Sequence, residues 1–120
     1  MRVRAIRGAT QLTADDSAEM VSAVTELLTE LFEKNGLKKQ DLVSILFTST
    51  DDLVCDFPAA AARTLDLGDI PLMCAREIPV VGSLPRAVRV MVHAYSSQTH
   101  EEIKHIYKRG AEVLRRDIAQ

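Results

Sequence analysis

The clearest pattern in the sequence is a stripe of apolar residues that recur every three or four positions between residues 20 and 33. This spacing places them on one side of an α-helix, and glutamates cover much of the other side. The stripe consists of Val21, Val24, Leu27, Leu28, Leu31 and Phe32. We expect Thr13 to cap the helix, with Asp16 three residues later in a variant of the capping box, and Asn35 and Gly36 to end it. The pattern predicts one long amphipathic helix that packs a single face on a sheet.

Four segments of the chain have the patterns that are typical of β-strands. They cover residues 3–10, 42–48, 72–77 and 86–95. The run 42–48 is apolar nearly throughout, which indicates burial on both faces of the strand. A fifth, shorter strand is predicted at residues 111–114, after Gly110 interrupts the preceding pattern.

Two short helices complete the predicted elements. Pro58 fixes the first turn of one, which continues through an alanine-rich run to about Leu65. Thr99 with Glu102 forms a capping box for the other, which ends at about Tyr107. The sum is an α+β fold with a mixed five-stranded sheet, one long helix and two short helices. One long helix is too little to cover such a sheet, so we expect identical subunits to cover the rest in a closed ring.

Composition and charge narrow the class of protein. Of the 120 residues, 47% are hydrophobic and 27% are charged, and the chain has neither a Pro- or Ser-rich linker nor an internal repeat. These features predict a single domain over residues 1–120. Lys and Arg together number 15 against 17 Asp and Glu, giving a net charge of −2. This balance makes nucleic acid an unexpected partner.

The sequence also carries information about the compartment. No apolar stretch approaches the roughly 18 residues of a membrane helix, and residues 1–10 lack the continuous apolar segment of a signal peptide. We therefore expect a cytoplasmic protein without a membrane partner. Cys55 and Cys74 are too few and too far apart for a disulfide framework or a zinc site, so we predict free thiols and no metal.

Several common catalytic motifs are missing from the sequence. It has no glycine-rich phosphate loop after a strand, no His-Glu-x-x-His pattern and no strained serine elbow. His93 falls in a predicted strand, and His100 and His105 fall at a predicted helix. A solvated or hydrogen-bonded role suits these histidines better than a general-base role. Nucleotide, zinc and acyl-enzyme chemistry therefore lose support.

Charged residues lie within or at the ends of the predicted strands. Arg89 sits inside an apolar run, and Glu77 ends another. In the simpler interpretation one face of the sheet is wet, and Arg7, Arg63 and Arg115 are likewise surface residues. In the alternative, Arg89 and Glu77 project into a pocket, where each needs a partner because an unpaired buried charge costs several kcal/mol. A polar ligand can be that partner.

Short motifs follow one another along nearly the whole chain. They are Ile6-Arg7-Gly8-Ala9-Thr10, Phe57-Pro58-Ala59, Arg63, Cys74-x-x-Glu77, Leu84, Arg89-Val90-Met91, His105-x-Tyr107 and Val113-Leu114-Arg115. Each is weak alone, but in order and spacing they closely resemble the small monofunctional chorismate mutases of the trimeric, pseudo-α/β-barrel class. The resemblance implies a homotrimer and an isomerase that converts chorismate to prephenate by an intramolecular Claisen rearrangement. That step leads from the shikimate pathway toward phenylalanine and tyrosine, and it uses no cofactor.

The resemblance implies catalytic roles for four residues. Arg89 would donate hydrogen bonds to the ether oxygen and to the side-chain carboxylate of chorismate. Arg7 would bind the same carboxylate, and Tyr107 would add a hydroxyl contact. Glu77 would accept a hydrogen bond from the ring hydroxyl.

A second set of residues is implied to bind the substrate without acting on the ether bond. The set consists of Phe57, Ala59, Arg63, Leu72, Met73, Cys74, Leu114 and Arg115. Its apolar members Phe57, Ala59, Leu72 and Leu114 would form walls, while Arg63 and Arg115 would steer the ring carboxylate. Because the clefts of this class lie between subunits, Phe57, Arg63 and Cys74 would face the catalytic residues across an interface.

Two positions depart from the family pattern. Ala60 stands where a lysine is common, and Met73 stands where a small hydroxyl residue is familiar. Charge at the mouth of the cleft is therefore reduced. We expect the effect to fall on substrate capture more than on the chemical step.

Two other functions compete with the enzyme. One is a non-catalytic trimeric binding module for small carboxylate metabolites, since a fold alone does not fix a function. Glu77 argues against it, because a pocket for carboxylates has little use for an acid. The other is a structural role, in which Arg7, Glu77 and Arg89 form only a salt-bridge network between subunits.

Overall fold

One mixed sheet of five strands organises the part of the chain that the structure describes. The structure, a computed structural model, describes the backbone of residues 1–115 and the side chains of residues 1–114. The strands are β1 (Arg2–Gln11), β2 (Leu42–Ser49), β3 (Leu72–Arg76), β4 (Ala87–Ser96) and β5 (Ile106–Tyr107). Their order in the sheet is β3-β2-β4-β1-β5. Strand β4 pairs antiparallel with both β1 and β2, while β3 and β5 pair parallel with β2 and β1. The prediction of an α+β fold with a mixed five-stranded sheet is confirmed.

The long helix, α1, spans Ser17–Lys34, as its apolar stripe predicts. Its N-cap is Asp16, whose carboxylate accepts a hydrogen bond from the Glu19 backbone N–H at 2.8 Å. The prediction of Thr13 as the cap was wrong. The Glu19 carboxylate instead turns back toward Thr13 and accepts hydrogen bonds from its backbone N–H at 2.7 Å and its hydroxyl at 2.9 Å. Thr13 therefore ties the preceding loop to the helix rather than capping it.

The end of α1 is closed by a glycine and an asparagine. Gly36 adopts a φ of 62°, and the Leu37 backbone N–H donates to the carbonyl of Phe32 at 2.9 Å, which is the Schellman arrangement. Asn35 is buried, and its Nδ2 donates to the carbonyls of Leu31 and Lys104, both at 2.9 Å. Its Oδ1 accepts from the Lys104 backbone N–H at 2.8 Å. Asn35 therefore fixes the segment before β5 to the end of the helix.

Of the short helical segments among the described residues, only the alanine-rich one matches a predicted helix. The alanine-rich helix is confirmed in a shorter form, as a 3-10 turn at Pro58–Ala60 followed by α2 at Ala61–Thr64. An additional 3-10 turn, which the sequence did not suggest, occupies Lys39–Asp41. The predicted final strand was wrong, because Ala111–Arg115 forms a 3-10 helix.

The predicted helix between Thr99 and Tyr107 was also wrong. The Thr99 backbone N–H does donate to the Glu102 carboxylate, at 2.8 Å, but only a turn follows. Beyond it, the chain pairs with β1 as strand β5, and the Lys108 backbone N–H donates to the Ala9 carbonyl at 2.9 Å. Backbone hydrogen bonds to the edge of β1 stabilise this segment as a strand more than the local capping box stabilises it as a helix. The fifth strand exists, but at a different place in the sequence.

One face of the sheet packs on α1. The core joins Met20, Val24, Leu27, Leu28 and Leu31 of the helix to Ile6, Val88, Val90 and Val92 of the sheet. The approach is closest at Gly8, where an added Cβ would lie 3.0 Å from Val90 Cγ2 and 3.1 Å from Leu27 Cδ1. The opposite face remains partly open, since Met73 is 65% exposed and Tyr95 is 50% exposed. One helix does leave sheet surface uncovered, as expected.

Within the described part of the chain, no helix combines the length and the apolar character that crossing a bilayer requires.

Candidate active site

Three of the predicted catalytic residues lie together on the open face of the sheet. Arg7, Glu77 and Arg89 line a cavity of about 280 Å³. The other lining residues are Leu46, Thr48, Val90 and Met91. Arg7 lies on β1 and Arg89 lies on β4. In the pairing of these strands, Met91 is opposite Arg7 and Arg89 is opposite Ala9, so the two arginines are diagonal neighbours.

Glu77 reaches this cavity from the far side of β2. Its backbone N–H donates to the Ser49 carbonyl at 3.0 Å, which prolongs the pairing of β3 with β2 by one residue. Arg89 lies on the next strand, β4, directly opposite Thr48 of β2. Adjacent strands are about 4.8 Å apart, so Glu77 and Arg89 must both extend over β2 to meet.

The two side chains meet in a two-point ion pair. Arg89 Nε donates to Glu77 Oε2 at 2.7 Å, and Arg89 Nη2 donates to Glu77 Oε1 at 2.6 Å. The parallel arrangement matches the planar fork of the guanidinium to both carboxylate oxygens. The Arg89 side chain is 35% exposed and that of Glu77 is 14% exposed, so the cation keeps access to the cavity while the acid is largely enclosed.

The surroundings of Glu77 favour its charged form. Hydrogen bonds from Arg89 are the largest cause that lowers the pKa of Glu77 below 4.5; burial opposes them, and the Thr48 hydroxyl and the charge of Arg7 add to the lowering. The Thr48 hydroxyl donates to Glu77 Oε2. At neutral pH, Glu77 is therefore a carboxylate that accepts hydrogen bonds.

Strand β5 and the segment before it bring Tyr107 and His105 close to Arg7. Tyr107 pairs in register with Ala9, which puts it on the same face of the sheet as Arg7. The Nδ1 atom of His105 accepts a hydrogen bond from the Arg7 backbone N–H at 2.9 Å, so this ring nitrogen carries no proton. Burial, and secondly the charge of Arg7, lowers the pKa of His105 below 6.5. His105 is therefore hydrogen-bonded, which is one of the two simple roles predicted for the histidines.

The residues of the second set lie elsewhere on the chain. Phe57, Ala59, Arg63 and Leu72 line another cavity of about 280 Å³. Phe57 also lines a cavity of about 480 Å³ together with Cys74, and the residue is 71% exposed. Within one chain, the structure thus separates Phe57, Arg63 and Cys74 from the cavity of Arg89.

Three further residues of that set have other placements. Met73 pairs in register with Leu46 and so lies on the face of the sheet that carries Arg89. Leu114 belongs to the 3-10 helix at Ala111–Arg115 and is partly buried. Arg115 ends that helix, and its side chain lies outside the described residues.

Neither cysteine is part of a disulfide, as predicted. Burial, with a hydrogen bond to Asp15 as the next cause, raises the pKa of Cys55 to about 11, so its thiol stays protonated. Among the residues that the structure describes, no group of three His, Cys, Asp or Glu side chains is placed to hold a metal ion.

Thr48 is a polar lining residue that the sequence analysis did not identify. It lies near the end of an almost apolar run, where nothing in the sequence marks its hydroxyl as functional. Its importance depends on the register of β2 between β3 and β4, and that register is not visible in a linear pattern. The sequence does show that Thr48 lies on the same face of the predicted strand as another hydroxyl residue, Ser44.

Comparisons with known proteins agree on one family. The family model described as chorismate mutase type I matches residues 3–118. A relative named chorismate mutase AroH, from Thermus thermophilus, is 40% identical over 117 residues, which are 97% of this chain and 96% of that protein. A second chorismate mutase AroH, from Bacillus subtilis (strain 168), is 35% identical over 120 residues, covering 99% and 94% of the two chains. A solved chorismate mutase from Clostridium thermocellum is 45% identical, has a TM-score of 0.90, and is matched over 92% of this chain and 98% of its own.

Proposed function

The chain belongs to the chorismate mutase type I family and is a chorismate mutase, an isomerase, and we propose that Arg89, Arg7, Glu77 and Tyr107 form its catalytic site. The observation that carries the proposal is that Arg89 and Glu77 are hydrogen-bonded to each other and line the same cavity, with Arg7 on the neighbouring strand. The family membership favours the enzyme over a binding module for carboxylates.

Arg89 supplies the main stabilisation of the transition state. In the rearrangement, the ether C–O bond breaks and a C–C bond forms within one molecule, and no proton, electron or leaving group departs. Because bond breaking runs ahead of bond formation, negative charge gathers on the ether oxygen. A guanidinium already directed there stabilises the transition state more than the ground state. The ion pair with Glu77 holds Arg89 in place before the substrate arrives.

Glu77 and Arg7 recognise the ends of the substrate. The Glu77 carboxylate, charged at neutral pH, accepts a hydrogen bond from the ring hydroxyl. A cationic side chain could not do so, because it has no acceptor atom. Arg7 and Arg89, diagonal on adjacent strands, together bind the carboxylate of the enolpyruvyl arm. Tyr107 adds a hydroxyl contact on the same face. Holding the arm over the ring restricts it to conformations near the reacting geometry, which lowers the entropy still to be lost at the barrier.

A neighbouring subunit completes the site. We propose a homotrimer with a pseudo-α/β barrel, in which Phe57, Arg63 and Cys74 of one subunit face Arg89 of another. Two observations support it: the open sheet face next to the cavity, and the separation of the two residue sets within one chain. The apolar residues Phe57, Ala59, Leu72 and Leu114 then form walls. Arg63 and Arg115 attract the ring carboxylate, and Met73 and Cys74 lie beside them.

The activity is tested by adding purified protein to chorismate and following the loss of its diene absorbance, with prephenate identified as the product. Faster decay than in buffer is expected. No acceleration would overturn the assignment. Light scattering should give three times the 13.3 kDa of one chain, and a monomer with full activity would overturn the shared site.

Complementation tests whether two subunits build each site. Arg89→Ala and Arg63→Ala alter opposite halves of the proposed cleft, so each variant alone should be impaired. When the two are unfolded together and refolded as mixed trimers, about a quarter of the interfaces receive one intact half from each chain. Activity should recover in the mixture. If the mixture is no more active than the mean of the two variants, both halves belong to one chain.

A further inference from the structure

Thr48 lies between the two partners of the ion pair. In the sheet it is paired with Ala75 of β3 on one side and with Arg89 of β4 on the other. Glu77, two residues beyond Ala75, and Arg89 meet above it. The Thr48 hydroxyl donates to Glu77 Oε2. This threonine is therefore the part of β2 that contacts the carboxylate as it crosses the strand.

The hydrogen bonds to Glu77 are unequal for its two oxygens. A carboxylate has about four lone-pair positions, two on each oxygen. Oε2 accepts from Thr48 Oγ1 and from Arg89 Nε at 2.7 Å, which occupies both of its positions. Oε1 accepts from Arg89 Nη2 at 2.6 Å, which leaves it one more. The next donor to arrive is thus directed to Oε1.

We propose that Thr48 is a positioning residue that fixes the Glu77 carboxylate through Oε2, so that Oε1 receives the ring hydroxyl of chorismate. The inference rests on the proposed function of Glu77 as the acceptor of that hydroxyl. When the substrate is bound, Arg89 also donates to the ether oxygen, so its bonds to Glu77 are weaker, and the Thr48 hydroxyl then keeps the carboxylate from rotating. Thr48 acts through Glu77 and is not itself a catalytic residue.

The test compares Thr48→Val, which keeps the shape but removes the hydroxyl, with Thr48→Ser, which keeps the hydroxyl. We expect Thr48→Val to lower kcat about tenfold, the scale of a hydrogen bond to a charged group, with a smaller change in KM. Thr48→Ser should restore most of kcat. The matched control is Ser44→Ala, which removes a hydroxyl from the same face of β2, where Ser44 lies 3.4 Å from His93 and away from Glu77. It should leave kcat unchanged.

A second readout follows Glu77 directly. The Thr48 hydroxyl stabilises the charged carboxylate, so Thr48→Val should raise the pKa of Glu77 in a carboxyl-carbon NMR titration, and Thr48→Ser should return it. If Thr48→Val does not fold, Thr48→Ala serves for both measurements. A wild-type kcat and an unshifted Glu77 titration in the folded variant would overturn the inference. Equal losses in the Val and Ser variants would overturn it too, because they would indicate packing rather than the hydroxyl.

The failure of the proposed acceptor role has a different signature. If Glu77→Ala turns over chorismate as fast as the wild type, Glu77 is not the acceptor, whatever Thr48 does. If Glu77→Ala is impaired while Thr48→Val is silent in both readouts, the role of Glu77 stands and that of Thr48 falls.

Discussion

Arg89 and Glu77 are joined by two parallel hydrogen bonds, from Nε to Oε2 at 2.7 Å and from Nη2 to Oε1 at 2.6 Å, above the strand that separates them in the sheet. Arg89 is the partner that contributes most to stabilising the charge of Glu77 in a partly enclosed cavity. Removing Arg89 takes from Glu77 the hydrogen bonds that contribute most to lowering its pKa, and removing Glu77 takes from Arg89 both bonds of the pair. The ion pair thus makes substitutions at either position informative about both.

Replacing Arg89 tests the source of the rate. Arg89→Ala should lower kcat by about 10² to 10³, the usual cost of losing a donor to a developing negative charge. Arg89→Lys should restore little, since an ammonium cannot reach two oxygens at once as a planar fork does. Chorismate decay measures the loss, and Arg2→Ala, at the exposed start of β1, is the control.

The assembly state of the Arg89→Ala variant separates catalysis from structure. A protein of unchanged mass with low turnover agrees with the catalytic role. If the subunits come apart instead, Arg89 is a structural ion-pair partner between or within chains.

Replacing Glu77 tests the acceptor role. Glu77→Gln should keep part of the activity, because its amide oxygen still accepts a hydrogen bond, whereas Glu77→Ala should lose much more. The retained fraction is limited because the amide NH₂ meets a donor of Arg89 or Thr48 where the carboxylate presented an oxygen. Steady-state kinetics on both variants provide the comparison. Losses of the same size would show that accepting a hydrogen bond is not what Glu77 contributes.

The dependence of turnover on pH should be weak. No proton is transferred in the rearrangement, so kcat should vary little between about pH 6 and 9. Glu77, with a pKa held below 4.5, stays charged throughout this range. Turnover should fall only in more acidic solution, as Glu77 gains a proton. A steep bell-shaped profile in buffers of constant ionic strength would point to general acid-base chemistry.

Stability should depend on pH through His105. Its pKa in the folded protein is lowered below 6.5, so the unfolded chain binds the proton more tightly and protonation favours unfolding. The contribution is present above about pH 6.5 and is lost as pH falls from there toward the folded-state pKa. His105→Asn should remove this part of the slope, because an amide oxygen can accept from the Arg7 N–H without titrating. Urea unfolding of both proteins between about pH 7.5 and 5 gives the two slopes, and parallel slopes would contradict the role of His105.

The elements that the sequence predicted well are those with a long, regular pattern. Helix α1 repeats its apolar stripe over about three turns, and its end at Gly36 requires a positive φ that glycine adopts freely. The turn at Thr99 shows the opposite case. A capping box is only two hydrogen bonds, and the unpaired edge of β1 offered the following residues a better set of backbone partners. Local signals fail where a distant strand competes.

The site was predictable only in part. Arg7, Glu77 and Arg89 were identified through the order of motifs, and the structure does place these three together. The pattern of apolar residues alone left Arg89 as an outward-facing surface residue. Thr48 could not be found in this way, because its contact with Glu77 arises from the register of three strands that are far apart in the chain.

The side chain of Asn35 serves as a substitute for a peptide group, since it donates to and accepts from the main chain of Lys104 just as a paired strand would. Aspartate has the same outline but no N–H, so one of its oxygens would face the carbonyls of Leu31 and Lys104. Leucine could form none of these bonds, and glutamine is longer by a methylene. Position 35 therefore tolerates few substitutions although it is remote from the substrate. Variation among relatives at this position should be as narrow as at the arginines themselves.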